Sequence, residues 1–209
     1  MILIGQYDSP FVRRVAVALR LYGLAYEHRP WSVFANAEEI ARYNPLRRVP
    51  TLVADDGEAL IESAAILDWL DEQAGPGRAL IAASGPERRA TLKVCALATG
   101  MADKAVSLVY EQVIHGRGTP AWVERCRTQI AGVLDALEAA RGAQAWWFGD
   151  RLTHADIAAG CVLRFLGEAL PGVFDAARWP ALAAHARACE AHPDFAAVVQ
   201  PFHVSPPKG

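Results

Sequence analysis

Two serines in this chain stand where a hydroxyl could meet an anion. Ser9 lies within Tyr7-Asp8-Ser9-Pro10-Phe11-Val12-Arg13-Arg14-Val15, and Ser63 follows Glu62. Behind Ser9, the residues Val12, Val15, Ala16 and Leu19 recur at i, i+3, i+4 and i+7, which is one face of a helix. Ser9 therefore falls at the N-cap, and Pro10 at the first helical position, where a missing N–H costs nothing. The orphan N–H groups and the macrodipole of a helix start favour negative charge. Ser9 has two uses open to it: closing its own helix, or holding an anion beside it. Ser63 reads as the cap of a second helix, with Ile66, Leu67 and Leu70 as its apolar face, and has the same two uses. Tyr7 places a third hydroxyl, a phenol, two residues ahead of Ser9.

These hydroxyls need elements to position them. Ile2-Leu3-Ile4 reads as a strand leading into the Ser9 helix, which Gly23 ends as a C′ residue with Leu24 making the usual hydrophobic contact. Ala25 to Trp31 reads as an extended segment pushed toward a sheet edge by Pro30. A short helix over 35–43 leads into the loop Asn44-Pro45-Leu46-Arg47-Arg48-Val49-Pro50, followed by an extended Thr51-Leu52-Val53-Ala54. Asp56-Gly57 is a hairpin signal, with Glu58 to Ile61 returning. The order β-α-β-α-β-β-α predicts a small mixed sheet covered by helices over residues 1–76. Breaks at Gly75-Pro76-Gly77 and Ser84-Gly85-Pro86 mark a linker, set at 77–86.

Residues 87–209 read as all-helical. A long helix from Glu87 to about Ile114 carries Leu92, Cys95, Thr99, Ala102, Val106, Val109 and Val113 along one face. Most of these are small or β-branched, which invites close approach of a neighbouring helix. Thr119-Pro120 opens another helix, with Val123, Cys126, Ile130, Val133, Leu134 and Leu137. The loop Trp146-Trp147-Phe148 reads as core or interdomain aromatics. Thr153 and Asp156 form a capping pattern ahead of Ile157 and Cys161, and His154 reads as a residue at the solvent edge. Trp179-Pro180 and Pro193-Asp194 start two further helices, and the Pro-rich tail from Ser205 to Gly209 is expected to fray.

The composition sets limits on function. Of 209 residues, 53% are apolar and 21% charged, a globular mixture with room for one large domain or two small ones. The formal charge of -2 carries no polycationic footprint for nucleic acid. No apolar run approaches the ~18 residues that span a bilayer, and no basic-then-apolar leader opens the chain. Cys95, Cys126, Cys161 and Cys189 lie far apart, without ligand spacing. They read as reduced, packed thiols with no metal site, in a cytoplasmic protein.

Four stretches together resemble the glutathione S-transferase superfamily: Ser9-Pro10-Phe11 through Arg14-Val15, Asn44-Pro45 through Val49-Pro50-Thr51-Leu52, Glu62-Ser63 with Ala64 and Ile66, and Gly149-Asp150 through Thr153-His154-Ala155-Asp156-Ile157. The opening is most similar to plant tau-like members and to bacterial relatives that share it. The resemblance covers nearly the whole chain. It implies an α/β plus all-α architecture, a thioredoxin-like domain that binds glutathione followed by a helical domain, in a homodimer. It also implies chemistry. Only roughly a few per cent of the glutathione thiol is ionised near neutral pH, and lowering its pKa by about two units takes roughly 2.7 kcal/mol. A hydrogen bond from Ser9, together with the helix terminus, supplies an effect of that size. The resemblance favours Ser9 over Tyr7 as the donor.

By the same resemblance Val49-Pro50 carries a cis peptide whose Val49 backbone pairs with the cysteinyl part of glutathione, and Phe11 adjoins the ligand. Arg48 stands where relatives reach the glycyl carboxylate, and Arg47 departs from a common Gly. Ser63 would take the γ-glutamyl carboxylate, and Glu62 the α-ammonium. The expected acceptor pocket includes Phe11, Val12, Phe34, Met101, Lys104, Ala105 and Leu108. The expected activity is transfer of glutathione to a small electrophile, with isomerase or peroxidase chemistry on the same thiolate, or a non-catalytic scaffold, as alternatives.

Overall fold

The computed structural model describes residues 1–114, 116 and 118–203. The side chains of Val113 and Ile114 and the tail from Ser205 onward lie outside the described residues. Contacts divide the chain into two compact units, one made of residues 1–83 together with the segment from Pro193 onward, the other of residues 84–192. This differs from the division expected from sequence. The boundary falls within the 77–86 linker, but the last segment does not continue the helical domain.

The first unit begins with β1 (Ile2–Ile4), α1 (Pro10–Tyr22), β2 (Glu27–Arg29), α2 (Ala37–Ala41), β3 (Thr51–Val53), β4 (Ala59–Ile61) and α3 (Ser63–Ala74). The β-α-β-α-β-β-α order is as expected, and β2 and α2 are shorter than their patterns suggest. The strands form one sheet in the order β2-β1-β3-β4, with β1 parallel to β2 and the other pairs antiparallel. This mixed sheet with a crossover helix is a thioredoxin-like arrangement. Ile4 and Val53 pack with Ile40 of α2 on one face, joined by Trp31, Val33, Tyr43 and Val49. By the alternation of a strand, Leu3 and Leu52 point to the opposite side. They are fully buried, as are Leu19 of α1 and Ile66 and Leu70 of α3. Each of these side chains contributes about 1.5–3 kcal/mol by leaving water.

The turns follow their residues. Gly23 adopts the left-handed conformation and ends α1 with paired bonds, Gly23 N–H to the Arg20 carbonyl and Leu24 N–H to the Leu19 carbonyl, a Schellman closure. At the hairpin, Glu58 N–H donates to Asp56 Oδ1 and Gly57 N–H to the Ala54 carbonyl. The returning segment α8 (Pro193–Ala196) packs on α1. There Arg13, 1% exposed, donates from Nε to the Val198 carbonyl and from Nη2 to the Phe195 carbonyl, both at 3.0 Å. Arg20 pairs with Asp194 at 3.1 Å.

The second unit contains α4 (Gly85–Ile114), α5 (Pro120–Ala140), α6 (His154–Ala169) and α7 (Pro180–Ala191). Helix α4 packs on α6 and α5. The fully buried Ala98, Ala102 and Ala105 of α4, and Ala155, Ala158 and Ala159 of α6, allow close contact. The buried stripe of α4 runs through Val94, Cys95, Ala98, Met101, Ala102, Ala105, Leu108 and Val109. Leu92, assigned to that face from its spacing, is 46% exposed, because a helix with apolar residues on several sides gives no unique phase. Thr119 precedes α5 without a side-chain cap bond. Glu138 of α5 instead closes a different helix, accepting the Ala181 and Leu182 N–H groups at the start of α7 at 2.8 and 2.9 Å. All four cysteines are buried and free.

At the head of α6, the fully buried Asp156 accepts from Thr153 N–H and Thr153 Oγ at Oδ2, both at 2.8 Å, and from Trp147 N–H at Oδ1, 2.7 Å. Next to it, His154 is buried rather than at the solvent edge, since it belongs to the first turn of a helix buried on most sides. His185 of α7 lies 3.4 Å from the Asp156 carbonyl and 3.5 Å from Cys189 Sγ, with the Trp146 and Trp147 rings edge-on. Burial pushes the His185 imidazole below its ordinary range, and Asp156 only partly offsets this. The 3.9 Å approach of its Nε2 to Asp156 Oδ1 is therefore not an ion pair. Among the described residues its Nδ1 has no hydrogen-bond partner, so a second ring proton would be stranded. The unfolded chain takes up that proton near pH 6.5, and the folded unit resists it. The stability it contributes is thus present above about pH 6.5 and lost as pH falls through and below that value. Denaturant midpoints measured between pH 7 and 5 are expected to drop, and His185→Gln to flatten the drop. An equal slope in both proteins would assign the acid sensitivity elsewhere.

Candidate active site

Strand register decides which loops meet. Ile4 pairs with Thr51, and Thr51 with Ile61. The exit of β1, the entry of β3 and the exit of β4 are therefore level across the sheet. The segments attached there, Gly5 to Ser9, Val49-Pro50 and Glu62-Ser63, leave the sheet at the same end. Gly5 is what lets the first two approach. A Cβ on it would fall 2.5 Å from Val12 Cγ2 and 2.8 Å from Val49 Cβ, and its φ is +129°. Only glycine fits. Its role was not read from the sequence, where a Gly after a strand signals no more than a turn.

Ser9 sits at the N-cap of α1 in extended geometry, φ −70° and ψ 124°. Its Oγ accepts from Val12 N–H at 3.4 Å, and its own N–H donates to the Gln6 carbonyl at 3.1 Å. The cap uses a lone pair and not the hydroxyl proton, so Ser9 can cap and donate at once. Tyr7 is engaged elsewhere. Its hydroxyl lies 2.8 Å from that of Tyr26, and its ring stacks on His28 with centroids 3.8 Å apart and planes 3° from parallel. Burial, then the Tyr26 hydrogen bond, push its pKa further above the ordinary phenol range. Burial also lowers that of His28. A neutral His28 presents Nε2 to the Gly5 carbonyl at 2.8 Å, which fits the Nε2–H tautomer.

The second loop is organised by Asn44, which is buried. Its Nδ2 donates to the Arg48 carbonyl at 2.9 Å, its Oδ1 accepts from Leu46 N–H at 3.0 Å, and its own carbonyl accepts from Arg47 N–H at 2.9 Å. Arg47 holds φ +52°, the left-handed region that glycine enters freely. The Val49-Pro50 peptide is cis. Arg48 Nη1 approaches Glu62 Oε1 at 3.8 Å, with both side chains more than half exposed, so the pair adds little stability.

Ser63 does not cap α3. Glu62 occupies the N-cap position, at φ +67° and without a side-chain cap bond, and Ser63 is the first helical residue, 4% exposed. A serine before an apolar stripe reads alike at either position, and the positive φ of Glu62 leaves no trace in the sequence. Among the described residues, the two non-glycine residues with positive φ are Arg47, two residues before Val49, and Glu62, directly before Ser63. Unusual backbone of this kind concentrates at functional sites.

The expected acceptor residues fare unevenly. Val12, Met101, Ala105 and Leu108 are at most 2% exposed and offer no surface to an incoming molecule, because apolar residues on a packed helix face are core first. Phe11, Phe34 and Lys104 keep partial exposure. The Lys104 ammonium lies 5.5 Å from the centre of the Trp122 ring. Among the described residues, no group of three or more His, Cys, Asp or Glu side chains could hold a metal ion, and no helix is long and apolar enough to cross a membrane.

The site thus sets the N-termini of two helices, α1 and α3, beside a backbone edge at Val49. It suits an extended molecule with a negative group at each helix start and a peptide between them. Comparison with known proteins bears on the family and the fold. Residues 3–78 match the model of the glutathione S-transferase N-terminal domain, and residues 120–188 that of the C-terminal domain. Maleylacetoacetate isomerase of Pseudomonas aeruginosa is 32% identical over 93% of both chains. A glutathione S-transferase of Methylobacterium radiotolerans, solved with glutathione sulfonate, is 32% identical with a TM-score of 0.91, covering 100% of this chain and 98% of its own. A maleyl pyruvate isomerase, described as a bacterial glutathione S-transferase of the Zeta class, is 25% identical with a TM-score of 0.81, over 95% and 96% of the two chains.

Proposed function

This chain belongs to the glutathione S-transferase superfamily, and from that premise we propose that it ionises the thiol of glutathione at Ser9 and adds the thiolate to an electrophilic carbon. The observation that carries the reading is the Ser9 hydroxyl at the start of α1, accepting from Val12 N–H and retaining its proton to donate. That proton and the positive helix end both stabilise a sulfur anion more than a thiol, which lowers the thiol pKa. Val49, with its cis peptide to Pro50, pairs its backbone with the cysteinyl unit as an added strand would. Ser63, at the start of α3, binds the γ-glutamyl carboxylate, Glu62 the α-ammonium, Arg48 the glycyl carboxylate, and Phe11 packs beside the ligand. In transfer, a C–S bond forms at the acceptor carbon as the leaving group departs with its electron pair. Phe11, Phe34 and Lys104 remain the acceptor-side candidates. The working form is a cytoplasmic homodimer.

A second reading is favoured by the 32% identity to maleylacetoacetate isomerase over 93% of both chains. The thiolate adds to a conjugated cis carbon–carbon double bond, the resulting single bond rotates, and elimination returns the trans alkene with glutathione regenerated. Both readings need the same ionised thiol and differ in whether glutathione is consumed. Incubation with an aryl halide and, separately, with a cis-enedioic keto acid distinguishes them. Loss of free thiol with the halide marks transfer, and alkene isomerisation at constant thiol marks the isomerase. Absence of both reactions, with no retention on immobilised glutathione, would point to a scaffold.

The Ser63 assignment has its own test. Ser63→Ala removes a hydrogen bond to a charged group, so KM for glutathione is expected to rise about tenfold, with kcat within about twofold of the parent. A fall in kcat at unchanged KM would contradict a role in ground-state binding.

A further inference from the structure

We propose that Gln200, near the end of the chain, is a positioning residue that fixes the loop carrying Ser9. Its side-chain Oε1 accepts the backbone N–H of Tyr7 at 3.1 Å, two residues ahead of Ser9. A second bond from the same segment runs in parallel, from His203 N–H to Asp8 Oδ2 at 3.3 Å. This inference rests on the reading of Ser9 as the thiol's hydrogen-bond donor.

The segment that presents Gln200 is anchored. Phe195 and Val198 are buried, and Arg13 grips the carbonyls of both at 3.0 Å while its guanidinium lies 5.6 Å from the centre of the Phe195 ring. Arg13 is in the first turn of α1, and its N–H donates to the Ser9 carbonyl at 2.9 Å. A closed circuit results. It runs from Ser9 along α1 to Arg13, across to Val198, two residues on to Gln200, across to Tyr7, and two residues back to Ser9. The loop is also held by the Tyr7 stack on His28, the Tyr7–Tyr26 hydroxyl contact and the His28 bond to Gly5. Gln200 therefore restrains the Ser9 loop through its backbone, where these other contacts hold side chains and Gly5. It never has to touch the ligand to do so.

A hydrogen-bond donor is useful only where the charge develops, and displacement by a fraction of an ångström weakens it steeply. Binding of glutathione through the Val49 and Ser63 segments does not pass through Gln200. Its loss should therefore act on ionisation and turnover rather than on affinity.

The experiment replaces Gln200 with methionine, which keeps length and volume and deletes the acceptor, and with alanine as a second variant. Three quantities are read on the full chain: the thiolate ultraviolet absorbance of the bound glutathione against pH, the calorimetric Kd for glutathione, and kcat. Expected for both variants are an upward shift of the thiol titration midpoint, a fall in kcat of about threefold to tenfold, and a Kd within about twofold of the parent. A lower Tm with an unmoved thiol midpoint would reduce Gln200 to a structural tie and overturn the proposal. So would a tenfold loss of glutathione affinity at unchanged midpoint, which would make it a binding residue. If the parent protein binds no glutathione, or binds it without lowering its thiol pKa, the reading of Ser9 falls and this inference with it. A parent that ionises glutathione normally beside an unaffected Gln200→Met protein overturns this inference alone.

Discussion

Ser9→Ala is expected to slow glutathione conjugation by at least about tenfold and to move the apparent pKa of the bound thiol upward. One charge-assisted hydrogen bond contributes roughly 1.5–3 kcal/mol, and each 1.36 kcal/mol is a factor of ten in rate. The helix terminus remains in the variant, so the thiol keeps part of its stabilisation. The substitution also removes a cap. The 3.4 Å Oγ contact to Val12 N–H is long, so that loss belongs near the low end of the range for caps, about 0.5–1 kcal/mol of stability. Rate and stability therefore separate. A rate loss with a shifted pH midpoint reports chemistry, whereas a fall in Tm alone reports the cap. Tyr7→Phe is the control. The Tyr7 hydroxyl is already bonded to Tyr26, and burial raises its pKa. Its removal should cost much less than that of Ser9, by about threefold at most. A reversal of the two effects in pH–rate profiles would transfer the donor's role to Tyr7.

The largest stability effect is expected at Asp156. Its carboxylate is fully buried and accepts three hydrogen bonds, two of them from the backbone of residues that precede α6. Asp156→Ala strands the Trp147 and Thr153 N–H groups in a buried site, each costing about 1–3 kcal/mol, in addition to the capping contribution. A loss of about 3–5 kcal/mol is expected, a large share of the stability of an ordinary domain. Asp156→Asn keeps one acceptor and should fall between the two. The change can be followed by tryptophan fluorescence during denaturation of the full chain, because Trp146 and Trp147 flank this cluster. A value for Asp156→Ala within 1 kcal/mol of the parent (the low end of the unsatisfied-group range) would mean that the loop and α6 hold each other without the carboxylate.

What could be read from sequence is what local chemistry specifies. The Ser9-Pro10 start, the Gly23 stop, the Asp56-Gly57 hairpin and the Thr153–Asp156 box each depend on residues a few positions apart, and each forms as read. The misreadings share a different origin. Ser63 shifted by one position because the backbone of Glu62, not its side chain, decides where α3 begins. Spacing places Leu92 on a buried face, but the stripe of α4 is chosen by the helices packed on it. Position alone leaves Val12, Met101, Ala105 and Leu108 open to a ligand, but the core takes them. Gly5 and Gln200 carry no motif at all, and the motif that contains Asn44 does not reveal the bonds its side chain makes. Their roles arise from contacts with Val49, Arg48 and Tyr7, and for Gly5 and Gln200 those partners are far away along the chain. A long-range pairing of that kind leaves no periodicity to detect.

The grip of Arg13 on Phe195 and Val198 has a consequence for how the molecule is made. The sheet and its first helix are synthesised before the helical unit, yet residues that complete the first unit follow it in the chain. Until those residues leave the ribosome, α1 lacks the ring of Phe195, which is fully buried, and Arg13 lacks both carbonyl acceptors. A nascent N-terminal unit must keep a guanidinium solvated at a position that later becomes dry. Vectorial synthesis thus supplies the parts of the first unit on either side of the helical unit, so that the first unit is complete only after the helical unit has emerged.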